Sequence, residues 1–227
     1  DERVRKGYSE YDFQGVFQSV FTFATVELSS FYFDIRKDVL YCDGDTLERR
    51  SARCVLDHIF LRLTAWLAPV LVFTMEEVWL EKFPGDESSI HLTDMPSTPK
   101  TWLNKELAGK WAVIRQARRA VTAALELKRI DKVIGSSLEA SPVVYLEDQE
   151  TFNILDSIPF TDICITSSIN LSLDKAPKTA FSTEEVKGIK VDFQVASGEK
   201  CQRCWKILPE VTDANPICGR CNEALKG

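Results

Sequence analysis

Residues 13–35 read FQGVFQSVFTFATVELSSFYFDI. Phe13, Val16, Phe17, Val20, Phe21, Ala24, Leu28, Phe31 and Ile35 recur at three- and four-residue intervals, the period that gathers side chains on one face of an α-helix. At about 1.5 Å per residue such a helix extends on the order of 35 to 40 Å, so it needs long partners to cover its stripe. The sequence supplies them. After a turn at Asp43 and Gly44, Asp45 and Glu48 form a capping-box variant ahead of Val55, Leu56, Ile59, Phe60, Leu63, Trp66 and Leu67. Pro69 marks a break. Thr74 and Glu77 then make a T-x-x-E box, and the helix carrying Val78 and Trp79 stops at Pro84-Gly85. Residues 86–101 are polar and contain proline, as loops do. A fourth helix is expected from Leu103 to Val133 with a seam of Leu107, Trp111, Ile114, Ala117, Val121 and Leu125, ended by Gly135. Four helices with matched stripes predict an antiparallel bundle over residues 1–140, with the phenylalanine and tryptophan stripe as its core.

Beyond Ser141 the period changes. Val143–Leu146 reads as a buried strand, Thr151–Ile158 as a short helix, and Asp162–Leu173 as one or two strands. Ile189, Val191, Phe193 and Val195 alternate as a further strand, and Asp174–Glu185 reads as a polar connection. Residues 141–197 therefore form a small α/β module, and residues 198–227 a separate four-cysteine module. The fold class is mainly α.

The four-cysteine module has the strongest motif of the chain. Cys201 and Cys204 lie in CQRCW, and Cys218 and Cys221 in CGRC, with thirteen residues between Cys204 and Cys218. Two CxxC knuckles joined by a short loop can close four thiolates around one zinc ion. Four protein ligands leave no open position, so the metal is expected to fold a short peptide rather than to activate water. Cys42, Cys54 and Cys164 are an odd, scattered set, which argues against a disulfide framework and for reduced, mostly buried thiols.

A chain of 227 residues with 44% hydrophobic content has room for a large domain and smaller modules. No apolar run is long enough to span a bilayer, and no signal-peptide h-region opens the sequence, so a cytoplasmic, non-membrane setting is expected. A monomer is expected as well. Asp1 leads almost at once into a helical pattern, which reads as a piece of a longer polypeptide. Net charge is −6, unfavourable for indiscriminate binding of nucleic acid. Bases are nevertheless concentrated between Lys110 and Lys132, seven against two acids. Arg115, Arg118, Arg119, Thr122, Glu126 and Arg129 share one helix face there. That stripe fits a phosphate backbone, or a solvated face laced with ion pairs.

In the cysteine module, Trp205 follows a metal-fixed turn and can offer an aromatic platform to an unpaired base, with Arg203 and Arg220 beside it as phosphate or base-edge partners. Packing of Trp205 against a neighbouring domain is the competing reading. Cys54 and His58, four residues apart, read as a core edge rather than a nucleophile pair. His91 has no assigned role, and Glu76 and Glu77 are accounted for by the start of a helix. Taken alone, the chain shows no catalytic motif.

Three stretches carry a family resemblance: YDFQGVFQSVFTFATVELSSFYFDIRKDVLY (11–41), RRSARCVLDHIFLRLTAWLAPVLVFTMEEVW (49–79) and WAVIRQARRAVTAALELKRIDKVIGSSLEA (111–140). They resemble the anticodon-binding bundle of class I synthetases for aliphatic amino acids. With the CQRCW and CGRC tail, the chain resembles the C-terminal part of bacterial-type isoleucyl-tRNA synthetases. The resemblance implies a parent enzyme that uses ATP to attach isoleucine to tRNA(Ile) and edits mischarged valyl-tRNA. The ATP-binding catalytic domain and the editing domain lie outside this sequence, so the resemblance implies no catalytic residue here. It implies instead a piece that recognises the anticodon stem-loop, partnered by tRNA(Ile) and by the catalytic domain of its own polypeptide. Its RNA contacts would be Phe31, Lys37, Arg49, Arg50 and Arg53 in the bundle, Arg118 and Lys132 on the fourth helix, and Arg203, Trp205 and Arg220 at the zinc. Two alternatives stand beside it. One is a DNA-repair glycosylase tail with a similar zinc finger, against which the long helices count. The other is a protein-interaction bundle without an RNA role, which the acidic net charge favours.

Overall fold

A computed structural model describes residues 1–226. The chain divides into two compact units, one formed by residues 1–40 and 45–103, the other by residues 41–44 together with the chain from Asn104 onward.

The first unit is helical. Helix α1 (Glu2–Ser9) precedes the stretch where periodicity begins and turns through Tyr11, at φ 58°, into α2 (Phe13–Thr22). The α2 backbone continues without a break through a π-helical segment (Phe23–Phe33) into α3 (Asp34–Cys42). The stripe of this long helix is only half buried. Val16, Val20, Leu28, Ile35 and Val39 are in the core, whereas Phe13, Phe17 and Phe21 are exposed, Phe17 stacking on Phe21 at 6.0 Å. The expected aromatic core of this helix is thus an aliphatic seam. The phenylalanines at i, i+4 and i+8 stand on its flank, and the wider π turn shifts the phase of residues 23–33 away from the 3.6-residue period.

Helix α4 (Leu47–Leu67) is capped by Thr46, whose hydroxyl accepts from the Arg49 N–H at 3.2 Å, in place of the expected Asp45. Pro69 falls in the turn to α5 (Val72–Lys82), as read from the sequence. That helix begins two residues before Thr74, and its Leu71 N-cap makes no side-chain cap bond. Glu76, assigned only a dipole role, fastens the following loop: Ser89 Oγ and the Ile90 N–H donate to its carboxylate at 2.9 and 3.0 Å. Residues 86–101 form that loop, with two single 3-10 turns at Ile90–Leu92 and Lys100–Trp102. Two small cores close the unit. Val4, Val16 and Val20 meet Trp66, and Ala65, Ala68, Met75 and Ile90 form the other.

The second unit is built on α6 (Lys105–Ile130), capped by Asn104, whose side chain accepts from the Leu107 N–H at 2.9 Å. Its buried face is Ile114, Ala117, Ala120, Val121, Ala124 and Leu125. The alanines bring the helix axis close to a sheet, and α6 packs on the strands and on the two short helices beside them. Sequence periodicity placed this helix in the bundle of residues 1–140. A helical stripe states that a face is buried and not what buries it. The helix ends in a Schellman motif, in which Val133 N–H donates to the Lys128 carbonyl at 2.9 Å and Lys132 N–H to the Arg129 carbonyl at 3.0 Å. The left-handed residue is Lys132, at φ 57°, rather than the expected Gly135.

The sheet has the order β2-β1-β4-β3, from β1 (Val143–Leu146), β2 (Asn170–Ser172), β3 (Phe181–Thr183) and β4 (Val186–Asp192). Strands β1 and β2 are parallel and joined by α7 (Gln149–Asp156) and α8 (Phe160–Cys164); β4 pairs antiparallel with both β1 and β3. Val144 faces Val191 across the β1–β4 ladder, and both are fully buried. Two readings change. The first half of Asp162–Leu173 is the end of a helix, because Ile165 turns left-handed at φ 57° and stops it. The polar connection 174–185 contains β3, too short to show alternation. The four-cysteine module is part of this second unit.

Candidate metal centre and nucleic-acid interface

The first knuckle sits at the tip of a hairpin between β5 (Glu199–Lys200) and β6 (Ile207–Leu208). Cys201 N–H donates to the Lys206 carbonyl and Trp205 N–H to the Cys201 carbonyl, both at 2.9 Å, which folds the two sulfurs to one side. Gly198, at φ 115°, lets this hairpin close, since a Cβ there would stand 2.2 Å from the Leu208 backbone. The second knuckle opens α9 (Gly219–Lys226), with Cys218 before it and Cys221 in its first turn. Gln202 N–H donates to the Pro216 carbonyl at 3.0 Å and joins the two knuckles.

All four cysteines are buried, and their sulfurs lie within 4.8 Å of one another. The Sγ atoms of Cys204 and Cys218 are 3.8 Å apart. Thiolates bound about 2.3 Å from a central zinc ion stand about 3.8 Å apart, so the donor set and its spacing fit a tetrahedral metal site. A disulfide would require about 2.05 Å. Burial pushes the thiols of Cys204, Cys218 and Cys221 up. It pushes Cys201 up too, but backbone N–H groups of Cys204, Cys218 and Arg203 donate to that sulfur and hold its pKa down at about 6. Such donation favours a thiolate, the form that binds metal. The apolar jacket is small: Val211, with Leu208 and Ile217 packed beside it, and Cys42.

Lys206 Nζ pairs with Asp162 at 2.6 Å, and Ile207 N–H donates to Ser167 Oγ at 2.7 Å, fixing the hairpin to the end of α8. Trp205 does not share this anchoring. It adopts φ 68°, costly for an aromatic residue, and is 60% exposed, with Lys200 Nζ 5.3 Å from its ring centroid.

The other basic candidates divide by what they touch. In the second unit, Arg203 Nη1 donates to the Cys42 carbonyl and Nη2 to the Tyr41 carbonyl at 3.1 Å. Arg220 Nη1 lies 3.1 Å from Asp43, and Arg118 Nε donates to the Ile163 carbonyl at 2.9 Å. These three guanidinium groups, each half-buried, hold protein acceptors. On α6, Glu126 pairs with Arg129 at 3.2 Å and Thr122 bonds back to Arg118, so the six-residue stripe is partly absorbed by its own helix and by α8. Lys132 is exposed at the helix end, beside an open depression of about 510 Å³ lined in part by Arg129 and Glu139.

In the first unit, Arg49 Nε donates to the Leu40 carbonyl at 3.1 Å. Lys37 and Arg50 are exposed and paired with Asp34 and Asp45, each at 2.9 Å. Arg53 is exposed, and Phe31 is half-buried in the π segment. Cys54 is exposed rather than at a core edge, and the His58 ring stands edge-on to Trp102 at 5.0 Å. His91 lies 3.2 Å from the Val72 carbonyl. Missing from the sequence reading was the segment Tyr41–Gly44, which enters the second unit. The only signal was that Arg203 and Arg220 occupy the same place in the two knuckles, just before the second cysteine.

Among the described residues, no helix is long and apolar enough to cross a membrane. A family model described as the anticodon-binding domain of tRNA ligase matches residues 1–143. The match takes in α6, whose packing partners are in the second unit. An isoleucine–tRNA ligase of Ruegeria pomeroyi is 62% identical over 227 residues, 99% of this chain and 23% of that protein. Isoleucine–tRNA ligases of Brucella abortus and Agrobacterium fabrum are 49% and 46% identical over 212 residues, 93% of this chain and 22% of each relative. The chain thus spans under a quarter of the length of these curated relatives. With helices matched from residue 1 to residue 143, it belongs to the family of anticodon-binding domains of tRNA ligases.

Proposed function

We propose that this chain binds the anticodon stem-loop of tRNA(Ile) as part of an isoleucine–tRNA ligase, with Cys201, Cys204, Cys218 and Cys221 holding one structural zinc ion. The carrying observation is Trp205: an exposed indole, held on a left-handed backbone at the metal knuckle with Lys200 beside it, offers a face on which an unpaired base can stack. Zinc suits four clustered thiolates and, when bound, supplies rigidity rather than Lewis acidity, since no ligand position stays open. Lys37, Arg50 and Arg53 on the first unit and Lys132 on the second are the proposed phosphate contacts, with Phe31 a further base contact. Arg49, Arg118, Arg203 and Arg220 act mainly by holding the protein acceptors they touch.

The attachment of isoleucine to tRNA with ATP, and the editing of valyl-tRNA, belong in this reading to other parts of the parent polypeptide, a cytoplasmic monomer. The acidic net charge requires that RNA affinity be local. The family match over residues 1–143 covers the helices that the glycosylase alternative leaves unexplained. A titration with anticodon stem-loops of tRNA(Ile) and tRNA(Val) across a salt series, with metal stoichiometry measured alongside, tests the proposal. Tighter binding of the isoleucine stem-loop, log K falling with log salt and one zinc per chain are expected. Absence of RNA affinity at low salt would favour the protein-interaction alternative.

A further inference from the structure

Each knuckle carries one arginine immediately before its second cysteine, and both arginines reach the same four residues, Tyr41–Gly44. Arg203 grips the carbonyls of Tyr41 and Cys42, and Arg220 pairs with Asp43. Cys42 Sγ donates to the Arg203 carbonyl at 3.8 Å, and Cys42 is buried in the apolar cluster of the four metal-site cysteines. Cationic groups satisfy the carbonyls that a helix C-terminus leaves open, so this anchoring fixes the backbone of Tyr41 and Cys42. Tyr41, whose carbonyl is thus held, is left 76% exposed. An aromatic ring on an immobilised backbone loses little entropy when a base stacks on it.

We propose that Tyr41 is a second base-stacking residue of the ribonucleotide interface, with Arg203 as its positioning residue. The inference rests on the RNA-binding function proposed above. The ligand class is an unpaired ribonucleotide, and the hydroxyl is not required for stacking.

The intact 227-residue chain, with metal content measured for every variant, is titrated with a synthetic anticodon stem-loop of tRNA(Ile). Tyr41→Ala is expected to weaken binding about tenfold and Tyr41→Phe to leave it within about twofold. Arg203→Lys keeps the charge but loses the two-carbonyl fork; it is expected to weaken binding in the parent sequence and to have little further effect in the Tyr41→Ala background. Should Tyr41→Ala lose metal, Tyr41→Leu, which keeps bulk without a π-face, decides. Unchanged affinity for Tyr41→Ala together with a loss for Trp205→Ala overturns this proposal and leaves the RNA-binding function standing. Additive losses for Arg203→Lys and Tyr41→Ala overturn the positioning role. No binding by the parent chain overturns both proposals.

Discussion

Arg118 Nε donates to the carbonyl of Ile163 at 2.9 Å, so a base on the cationic face of α6 closes the last turn of α8. Ile165, in the left-handed region, ends that helix, and Cys164 beside it is fully buried, its thiol pushed up by desolvation.

Arg118→Ala should therefore act on stability before it acts on RNA. A hydrogen bond from a charged donor to a half-buried carbonyl contributes about 1 to 2 kcal/mol, and its loss should lower the denaturation midpoint accordingly. A phosphate contact would instead flatten the salt dependence of RNA binding by about one unit. Unchanged stability with a flattened slope would make Arg118 a phosphate contact instead.

Trp205 separates folding from binding. Trp205→Ala should weaken stem-loop binding by about 1 to 3 kcal/mol. Trp205→Gly removes the ring and also the left-handed penalty, so it should be more stable than Trp205→Ala by about 1 kcal/mol while binding RNA equally poorly. Equal stability of the two variants would show that the φ of 68° costs nothing.

Metal removal should be local. The four-cysteine module buries little beyond Val211 and its cysteines, whereas the sheet has its own core of Val144, Val191 and Leu155. Treatment with a thiol reagent and chelator should release one equivalent of the proposed zinc per chain. Amide protection should be lost from the β5–β6 hairpin, α9 and Tyr41–Gly44, while β1 and β4 stay protected. Retained protection throughout the hairpin would contradict a metal-dependent fold.

Asp148 supplies a pH test. Its carboxylate accepts from the Thr151 N–H at 2.7 Å at the start of α7, and the Thr151 backbone and side chain, with the Glu150 backbone, hold its pKa below the usual aspartate range. A depressed folded pKa means that the cap stabilises the fold above the unfolded aspartate pKa of about 3.9 and is lost as pH falls through the lower folded value. Asp148→Ala should therefore be less stable than the parent at pH 7, with the difference vanishing on acidification. A difference that persists at pH 2 would point to packing rather than charge.

Legibility in the sequence followed the range of the interactions. The existence of the long helices, the strand Val143–Leu146, the break at Pro69 and the four-cysteine cluster were readable because each depends on residues near in sequence. Caps were readable in kind but shifted in position: Thr46 replaced Asp45, and Lys132 took the left-handed place expected of Gly135. Several residues can serve a helix end, and neighbouring turns choose among them. The aromatic face of α2 misled because Phe13, Phe17 and Phe21 share a period with the valine seam and lie one step around the helix from it.

By itself the sequence determined that two CxxC pairs would meet, that the fold would be mainly helical, and which residues carried charge or an aromatic ring. It could not assign α6 to the sheet, nor tell that Arg118, Arg203 and Arg220 would be occupied by carbonyls and a carboxylate of the protein. Periodicity and composition report how much of a side chain is buried and what it can bond to, while the partner comes from residues 45 to 177 positions away, brought within reach only when the chain closes on itself.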